Sequence, residues 1–164
     1  MTCLIEGTVV EVTGPNEEIG ANIAARRPYF RRDQQAGISP PDLSKNCTYA
    51  EHIVHARGKR TQFTSVSLDP NKLRDIGDTT YRLHREDAER DGHGVVEHEA
   101  LLDELRRVVR EEDKAARLRA VHALRYARLR REGIVQWKFQ TEGVARKDLI
   151  NWADGKVQPY FSRV

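Results

Sequence analysis

A helical repeat of apolar residues runs through 95–132 and constrains the fold more than any other feature of the chain. Leucines and valines recur there at intervals of three and four residues, at Leu101, Leu102, Leu105, Val108 and Val109, and then at Leu118, Val121, Leu124 and Leu129. This spacing predicts two helices, or one bent helix, ended by Gly133. Immediately afterwards, Ile134–Thr141 alternates apolar and polar residues, which predicts a strand.

The order of the remaining elements predicts an α+β fold. Extended patterns at Cys3–Val12 and Gln62–Asp69 flank a short helix over Thr48–Ala56, for which Thr48 and Glu51 form a capping-box pattern. Strands, small helices and one large helical segment in this order favour a split, mainly antiparallel sheet with a long helical insert at about 95–132. At 164 residues the whole chain, 1–164, fits a single domain.

Composition excludes several functional classes. With 38% apolar and 32% charged residues, the chain contains no apolar run long enough for a membrane helix, and its N-terminus lacks a signal-peptide pattern. We therefore expect a cytoplasmic protein, or one exported by a route without a cleaved signal. The two cysteines, Cys3 and Cys47, are too few for a disulfide framework or a zinc site, and the histidines lack ligand spacing, so no metal site is predicted.

Two hydroxyls share one face of the strand Gln62–Asp69. Because successive side chains of a strand point to opposite faces, Ser65 and Ser67 lie on the same side as Phe63, whereas Thr64 faces the other way. A small polar pair beside an aromatic residue is typical of a strand that lines a cleft. The alternative is a half-buried edge strand whose serines face water.

Three segments together resemble the ADP-ribosyltransferase domain of bacterial toxins, over roughly 22–85 and 134–152. The first combines a glycine-apolar step, a short helix with a histidine before a glycine, and an aromatic–serine strand. The second is a Q-x-E turn. The third is an arginine at the place where such domains keep one, at the end of their first core strand. These are, in order, Gly37-Ile38 to Pro41 with Ala50-Glu51-His52-Ile53, Gly58 and Thr61 to Ser67; Gln140-Thr141-Glu142; and Arg26 or Arg27.

The resemblance implies an enzyme that binds NAD between the halves of a split sheet and transfers ADP-ribose to a macromolecule, or hydrolyses the dinucleotide, as a toxin or effector does. It implies that Glu142 stabilises the positive charge that develops at the sugar carbon, and that Gln140 orients the acceptor.

The same resemblance assigns the cofactor-binding residues. Arg26 or Arg27 would hold the cofactor, with Arg31 as a third candidate, because a guanidinium donates paired hydrogen bonds to phosphate. Thr64, Ser65 and Ser67 would shape the pocket, and His52 would hold the short helix against the strand.

A rival interpretation comes from the basic charge of the helical segment. Between Arg106 and Glu132 ten cations stand against four anions: Arg106, Arg107, Arg110, Lys114, Arg117, Arg119, Arg125, Arg128, Arg130 and Arg131 against Glu111, Glu112, Asp113 and Glu132. Such a stripe could bind nucleic acid or a protein partner without any catalysis, or it could be only the solvated face of a helix.

Overall fold

A computed structural model describes residues 26–55, 59–73 and 76–164, and the predicted strand Cys3–Val12 lies outside these residues. Six strands form one open sheet in the order β4-β5-β2-β1-β3-β6, and every neighbouring pair is antiparallel. The strands are β1 Phe30–Asp33, β2 Phe63–Ser67, β3 Thr79–Leu83, β4 Gly94–Val96, β5 Glu132–Gln136 and β6 Phe161–Arg163. The predicted α+β class with an antiparallel sheet is confirmed.

Five helices accompany the sheet within the described residues. They are α1 Tyr49–His55, α2 Arg85–Arg90, α3 His98–Val109, α4 Lys114–Arg130 and α5 Leu149–Val157. The helical segment predicted over 95–132 consists of α3 and α4, and its first residues belong to β4. No helix of the described ranges is long and apolar enough to cross a membrane.

Local signals account for the two helices that matter most for the site. At α1, the Thr48 hydroxyl accepts a hydrogen bond from the Glu51 amide at 3.1 Å, and the Glu51 carboxylate accepts one from the Thr48 amide at 3.3 Å, which is the capping box that the sequence predicts. At α4, Asp113 caps the first turn by accepting from the Ala115 amide at 3.1 Å. Arg131 ends α4 in the left-handed region, with φ of 49°.

Both faces of the sheet are covered, so all five residues of β2 are buried. One face packs against α1, α3 and α4, through Ala50, Ile53, Phe63, Leu101, Leu102, Leu105, Ala123, Ala127 and Ile134. The other face holds Tyr29, Ile38, Val66, Tyr81, Leu83, Val135, Trp137, Val157 and Phe161. The alternative of a half-exposed edge strand for β2 is therefore wrong, because β2 lies inside the sheet between β5 and β1.

The sheet opens between β1 and β2. Strand β2 pairs with β5 along its whole length, and β1 pairs with β3 along its whole length, whereas a single residue pair, Phe30 with Ser67, joins β1 to β2. Beyond that pair, Arg31 reaches across with its side chain, and its Nη1 donates to the Ser65 carbonyl oxygen at 2.9 Å. Strands β1 and β2 thus separate after Phe30, and the gap between the two halves of the sheet forms a cleft.

Several local predictions differ from the structure. Strand β1 and helix α2 lie in stretches for which the sequence pattern predicted no regular element. The strand predicted to reach Thr141 is shorter, because β5 ends at Gln136. Trp137 follows the last residue of β5, and its indole Nε1 donates a hydrogen bond to Thr64 Oγ1 at 2.9 Å.

Gly77 is required where the chain passes β1. A Cβ atom at this position would lie 2.6 Å from the Asp33 Cα, which is backbone and cannot move aside without displacing β1. We expect Gly77→Ala to lower the free energy of unfolding by about 1–3 kcal/mol, measured by urea denaturation. Gly155→Ala is the control, because open space surrounds Gly155 in α5, and it should stabilise by about 0.5–1 kcal/mol. A Gly77→Ala protein as stable as the parent would contradict this packing.

Candidate active site

Ser65 is the centre of a buried chain of hydrogen bonds at the cleft. Its hydroxyl donates to Glu132 Oε1, and the His52 Nε2 lies 2.7 Å from Ser65 Oγ. The other ring nitrogen of His52, Nδ1, contacts the Thr61 hydroxyl, which also accepts from the Phe63 amide at 3.2 Å. Ser65, His52 and Glu132 are all buried.

Three elements bring these groups together. Ser65 is the middle residue of β2, Glu132 is the first residue of β5, and the two strands are paired in register, with Ser65 opposite Ile134 and Ser67 opposite Glu132. His52 lies on α1, where its ring packs edge-on against Phe63 with centroids 5.5 Å apart. Two neighbouring strands and one helix therefore fix the positions of the serine, the carboxylate and the imidazole.

His52 is held as a neutral imidazole. Burial lowers its pKa to about 3, and the nearby positive charge of Arg31 acts in the same direction. A neutral ring has one donor and one acceptor nitrogen, so a donation from Ser65 to the carboxylate assigns the proton to Nε2 and leaves Nδ1 to accept from Thr61. The hydrogen bonds then run in one direction and end at Glu132.

Glu132 is an acid with no solvent exposure. Burial raises the pKa of its carboxyl group, while the Ser65 hydrogen bond and the charges of Arg130 and Arg31 act in the opposite direction. Its second oxygen, Oε2, has no hydrogen-bond partner among the described residues. A buried carboxylate oxygen without a donor is costly, so this site has one unmet requirement for a hydrogen-bond donor.

Arg31 crosses the opening between β1 and β2 in a fixed orientation. Its Nε donates to Asp33 Oδ2 at 3.1 Å, in addition to the bond from Nη1 to the Ser65 carbonyl. Asp33 is held in turn by the Ser39 amide at 2.8 Å, by the Ser39 hydroxyl at 2.9 Å and by the Gln34 amide at 3.0 Å. The guanidinium keeps its Nη2 free of hydrogen bonds to the described residues.

A cleft of about 480 Å³ lies in front of Ser65, and its walls are positively charged. Its charged lining residues are Arg31, Lys59, Arg60 and Arg130, with Asp33 as the one carboxylate among the described residues that line it. The described lining residues therefore carry a net positive charge even with Asp33 paired to Arg31, which favours an anionic ligand such as a phosphate group. Glu132 lies behind Ser65 and does not line the cleft.

The arrangement differs from that of a serine nucleophile. In that chemistry the histidine stands between the serine and the acid, and the acid accepts from the second ring nitrogen. Here the carboxylate contacts the serine itself, and Thr61 occupies the second ring nitrogen of His52. Within the described ranges, no group of three His, Cys, Asp or Glu side chains could hold a metal ion.

The structure separates several predicted site residues from this cluster. Arg26 and Arg27 line a different cavity beside β3 and α2, and Arg26 forms an ion pair with Glu89. Gln140 and Glu142 are exposed. Glu142 lies on a turn before Gly143, whose φ is 80°. The intervening Thr141 lines a second cavity of about 500 Å³, which shares Phe63 as a wall with the cleft but contains neither Ser65 nor Arg31.

The remaining predicted residues lie on β2 with different partners. Ser67 is fully buried, and its hydroxyl donates to the carbonyl oxygens of Arg130 and, at 2.9 Å, of Asp69, so it fixes the corner between α4 and β5. The Thr64 hydroxyl accepts from Trp137 on the opposite face. Of the predicted set, Ser65 and His52 are the two that share the hydrogen-bond chain.

Sequence reasoning missed Glu132 as a site residue. Glu132 directly follows the helical repeat, so we counted it among the four anions of the basic helical segment. The available signal was its position next to Gly133-Ile134-Val135, an apolar run that opens a central strand. Arg31 was already the third candidate for the cofactor-binding arginine, and it stands two residues before Asp33, a spacing that puts both side chains on one face of a strand.

No family model, no curated protein and no solved structure matches this chain.

The buried carboxylate should reduce stability at neutral pH. Because the pKa of Glu132 is raised in the folded state, the free energy of unfolding falls as the pH rises above the ordinary glutamate value of 4.5. Glu132→Gln keeps an oxygen for Ser65 and removes the charge, so we expect it to be more stable at pH 7.5 by roughly 1–3 kcal/mol, with little difference near pH 4. Thermal denaturation at both pH values tests this. Glu142→Gln is the exposed control, and a less stable Glu132→Gln protein at pH 7.5 would contradict the interpretation.

His52 should produce the opposite pH dependence. Its folded pKa of about 3 lies below the ordinary value of 6.5, so between these values the unfolded chain binds a proton that the folded chain does not, and stability is lost as the pH falls. From pH 6.5 to 5 this loss amounts to about 2 kcal/mol. We expect His52→Gln to lose that part of the slope in urea denaturation series, with His122→Gln on the exposed side of α4 as the control. An unchanged slope in His52→Gln would refute a neutral buried imidazole.

Proposed function

We propose that this chain is an NAD-consuming enzyme of the ADP-ribosyltransferase type, which transfers ADP-ribose to a macromolecule or to water. The observation that supports this most directly is the bond from Ser65 to Glu132 beside Arg31, at the opening between the two halves of the sheet. In this proposal Glu132 takes the role that the sequence resemblance gave to Glu142. Arg31, the third candidate of the sequence resemblance, takes the cofactor-binding role in place of Arg26 or Arg27.

The cleft fits a dinucleotide by charge. A diphosphate is bound by cationic side chains, and Arg31, Lys59, Arg60 and Arg130 line the cleft. Arg31 is oriented by two hydrogen bonds, because Asp33 and the Ser65 carbonyl oxygen hold two of its nitrogens, and Nη2 remains for a ligand. An arginine prepared in this way binds phosphate with little further loss of side-chain entropy.

The unpartnered oxygen of Glu132 fits a sugar hydroxyl. Oε2 requires a donor, and a ribose hydroxyl is one. Cleavage of the bond between nicotinamide and ribose develops positive charge on the sugar, which a buried carboxylate stabilises strongly because little solvent screens it. Since Glu132 lies behind Ser65, contact with the sugar requires the Ser65 side chain to turn aside or the corner at Arg130 and Arg131 to shift.

His52 contributes through Ser65 rather than by titration. With a pKa of about 3 it remains neutral at physiological pH, so it neither accepts nor delivers a proton in the working range. Its Nε2–H donates to Ser65, which directs the serine proton toward the carboxylate. His52 is thus a positioning residue in the proposed mechanism.

Release of nicotinamide from NAD tests the proposal. We expect Glu132→Gln to lower the rate at least about 100-fold, and Arg31→Lys to raise KM for NAD with a smaller effect on kcat. The matched controls are Glu142→Gln and Arg26→Lys, which change the residues first predicted from the sequence. Loss of activity in the controls with retention in Glu132→Gln would transfer the catalytic role to Glu142. Absence of NAD turnover in the parent protein, with and without added protein or nucleic-acid acceptors, would refute the proposal.

A further inference from the structure

Most of the exposed large apolar side chains among the described residues lie on helix α4. Five such residues are exposed, and four of them lie on this helix: Leu118, Val121, Tyr126 and Leu129, with Leu118 54% and Leu129 61% accessible. Separations of three, eight and eleven residues put Leu118, Val121 and Leu129 on one side of the helix. The opposite side is occupied by Ala120, Ala123 and Ala127, which are fully buried against the rest of the fold.

The same helix carries an unbalanced positive charge. From Lys114 to Arg131 the chain contains seven Lys or Arg residues and no Asp or Glu, namely Lys114, Arg117, Arg119, Arg125, Arg128, Arg130 and Arg131. The arginines of α3 differ, because Arg106 pairs with Asp103, and Arg107 pairs with Glu104 and Glu111. Arg117, Arg125 and Arg128 of α4 are exposed and form no ion pair with the described residues.

We propose that this surface docks an acidic, amphipathic protein segment. We define the α4 outer face as Leu118, Val121, Arg125 and Leu129 with the flanking Arg117 and Arg128. A partner with apolar residues along one stripe and carboxylates beside it would bury the leucines and pair the arginines. The charge requires an acidic partner, and the leucines require an apolar stripe on it.

Other occupants satisfy one of these requirements and not both. A nucleic acid would pair the arginines through its phosphates but would leave Leu118 and Leu129 without apolar contact. A second copy would cover the leucines but would bring two cationic helices together, which costs electrostatic energy. Residues 1–25 of this chain contain four glutamates and no Lys or Arg, so a peptide of that sequence is a competitor to include in the test.

The location gives the docked segment access to the cleft. Helix α4 ends at Arg130, which lines the cleft, and Glu132 follows after a single residue. A segment along the α4 outer face would therefore end beside the site. The binding itself does not depend on the proposed enzymatic activity.

Fluorescence anisotropy with a defined probe tests the proposal. The probe is a labelled helical peptide of about 20 residues with leucines on one face and glutamates on both flanks. We expect Leu118→Ser with Leu129→Ser, and separately Arg117→Glu with Arg125→Glu, each to weaken binding by at least about tenfold. Arg110→Glu, an exposed cation at the end of α3, is the control and should change binding less than about twofold. Circular dichroism verifies that each variant folds.

Several outcomes would overturn the proposal. One is the absence of probe binding at low salt. A second is tighter binding of a duplex DNA of about 20 base pairs than of the probe, with no effect of the serine variants, which would assign the face to nucleic acid. A third is a dimer in sedimentation that the serine variants dissociate. Tighter binding of a peptide of residues 1–25 than of the probe would assign the face to the chain itself.

Discussion

The rest of the structure depends on one buried carboxylate, which has no opposite charge in direct contact with it. Glu132 opens a central strand, and the one hydrogen bond that its carboxylate makes to the described residues comes from Ser65 on the neighbouring strand. Burial of such a group disfavours folding, so the surrounding packing must offset it. The two apolar layers on either side of β2 and β5 supply that packing, and the arginines Arg31 and Arg130 lower the electrostatic cost from a distance.

The rest of the site follows from the need to fix Ser65. Its hydroxyl must point at Glu132, and the neutral imidazole of His52 enforces that direction from the other side. His52 depends on α1, which begins with the capping box of Thr48 and Glu51. Arg31 holds the Ser65 backbone across the gap that β1 leaves. Local helix capping, strand divergence and side-chain geometry are thus linked through one serine.

The sequence predicted the fold class and the helices better than the site. Helical spacing identified α3 and α4, and the alternation after Gly133 identified a strand, because both patterns reflect burial on one side of a regular element. Strand β1 was missed because arginines and nearby prolines obscure a four-residue segment whose pairing is determined by β3. Glu132 was missed for a related reason: its burial comes from tertiary packing of β5 between β4 and β2, and nothing in the adjacent basic run indicates it. Ser65 was recognisable because strand alternation predicts its face directly.

The left-handed residue at the end of α4 has a mechanical consequence. Arg131 alone separates the helix from β5, and its backbone conformation lets the chain reverse without a loop. A connection of one residue absorbs little displacement, so a sliding movement of α4 along its own axis would be transmitted through the main chain to Glu132. The corner is pinned by the Ser67 hydroxyl and by the Leu68 amide, which donates to the Arg131 carbonyl at 3.1 Å. The rigidity of the connection at Arg131 therefore determines how far a displacement of α4 moves the carboxylate of Glu132.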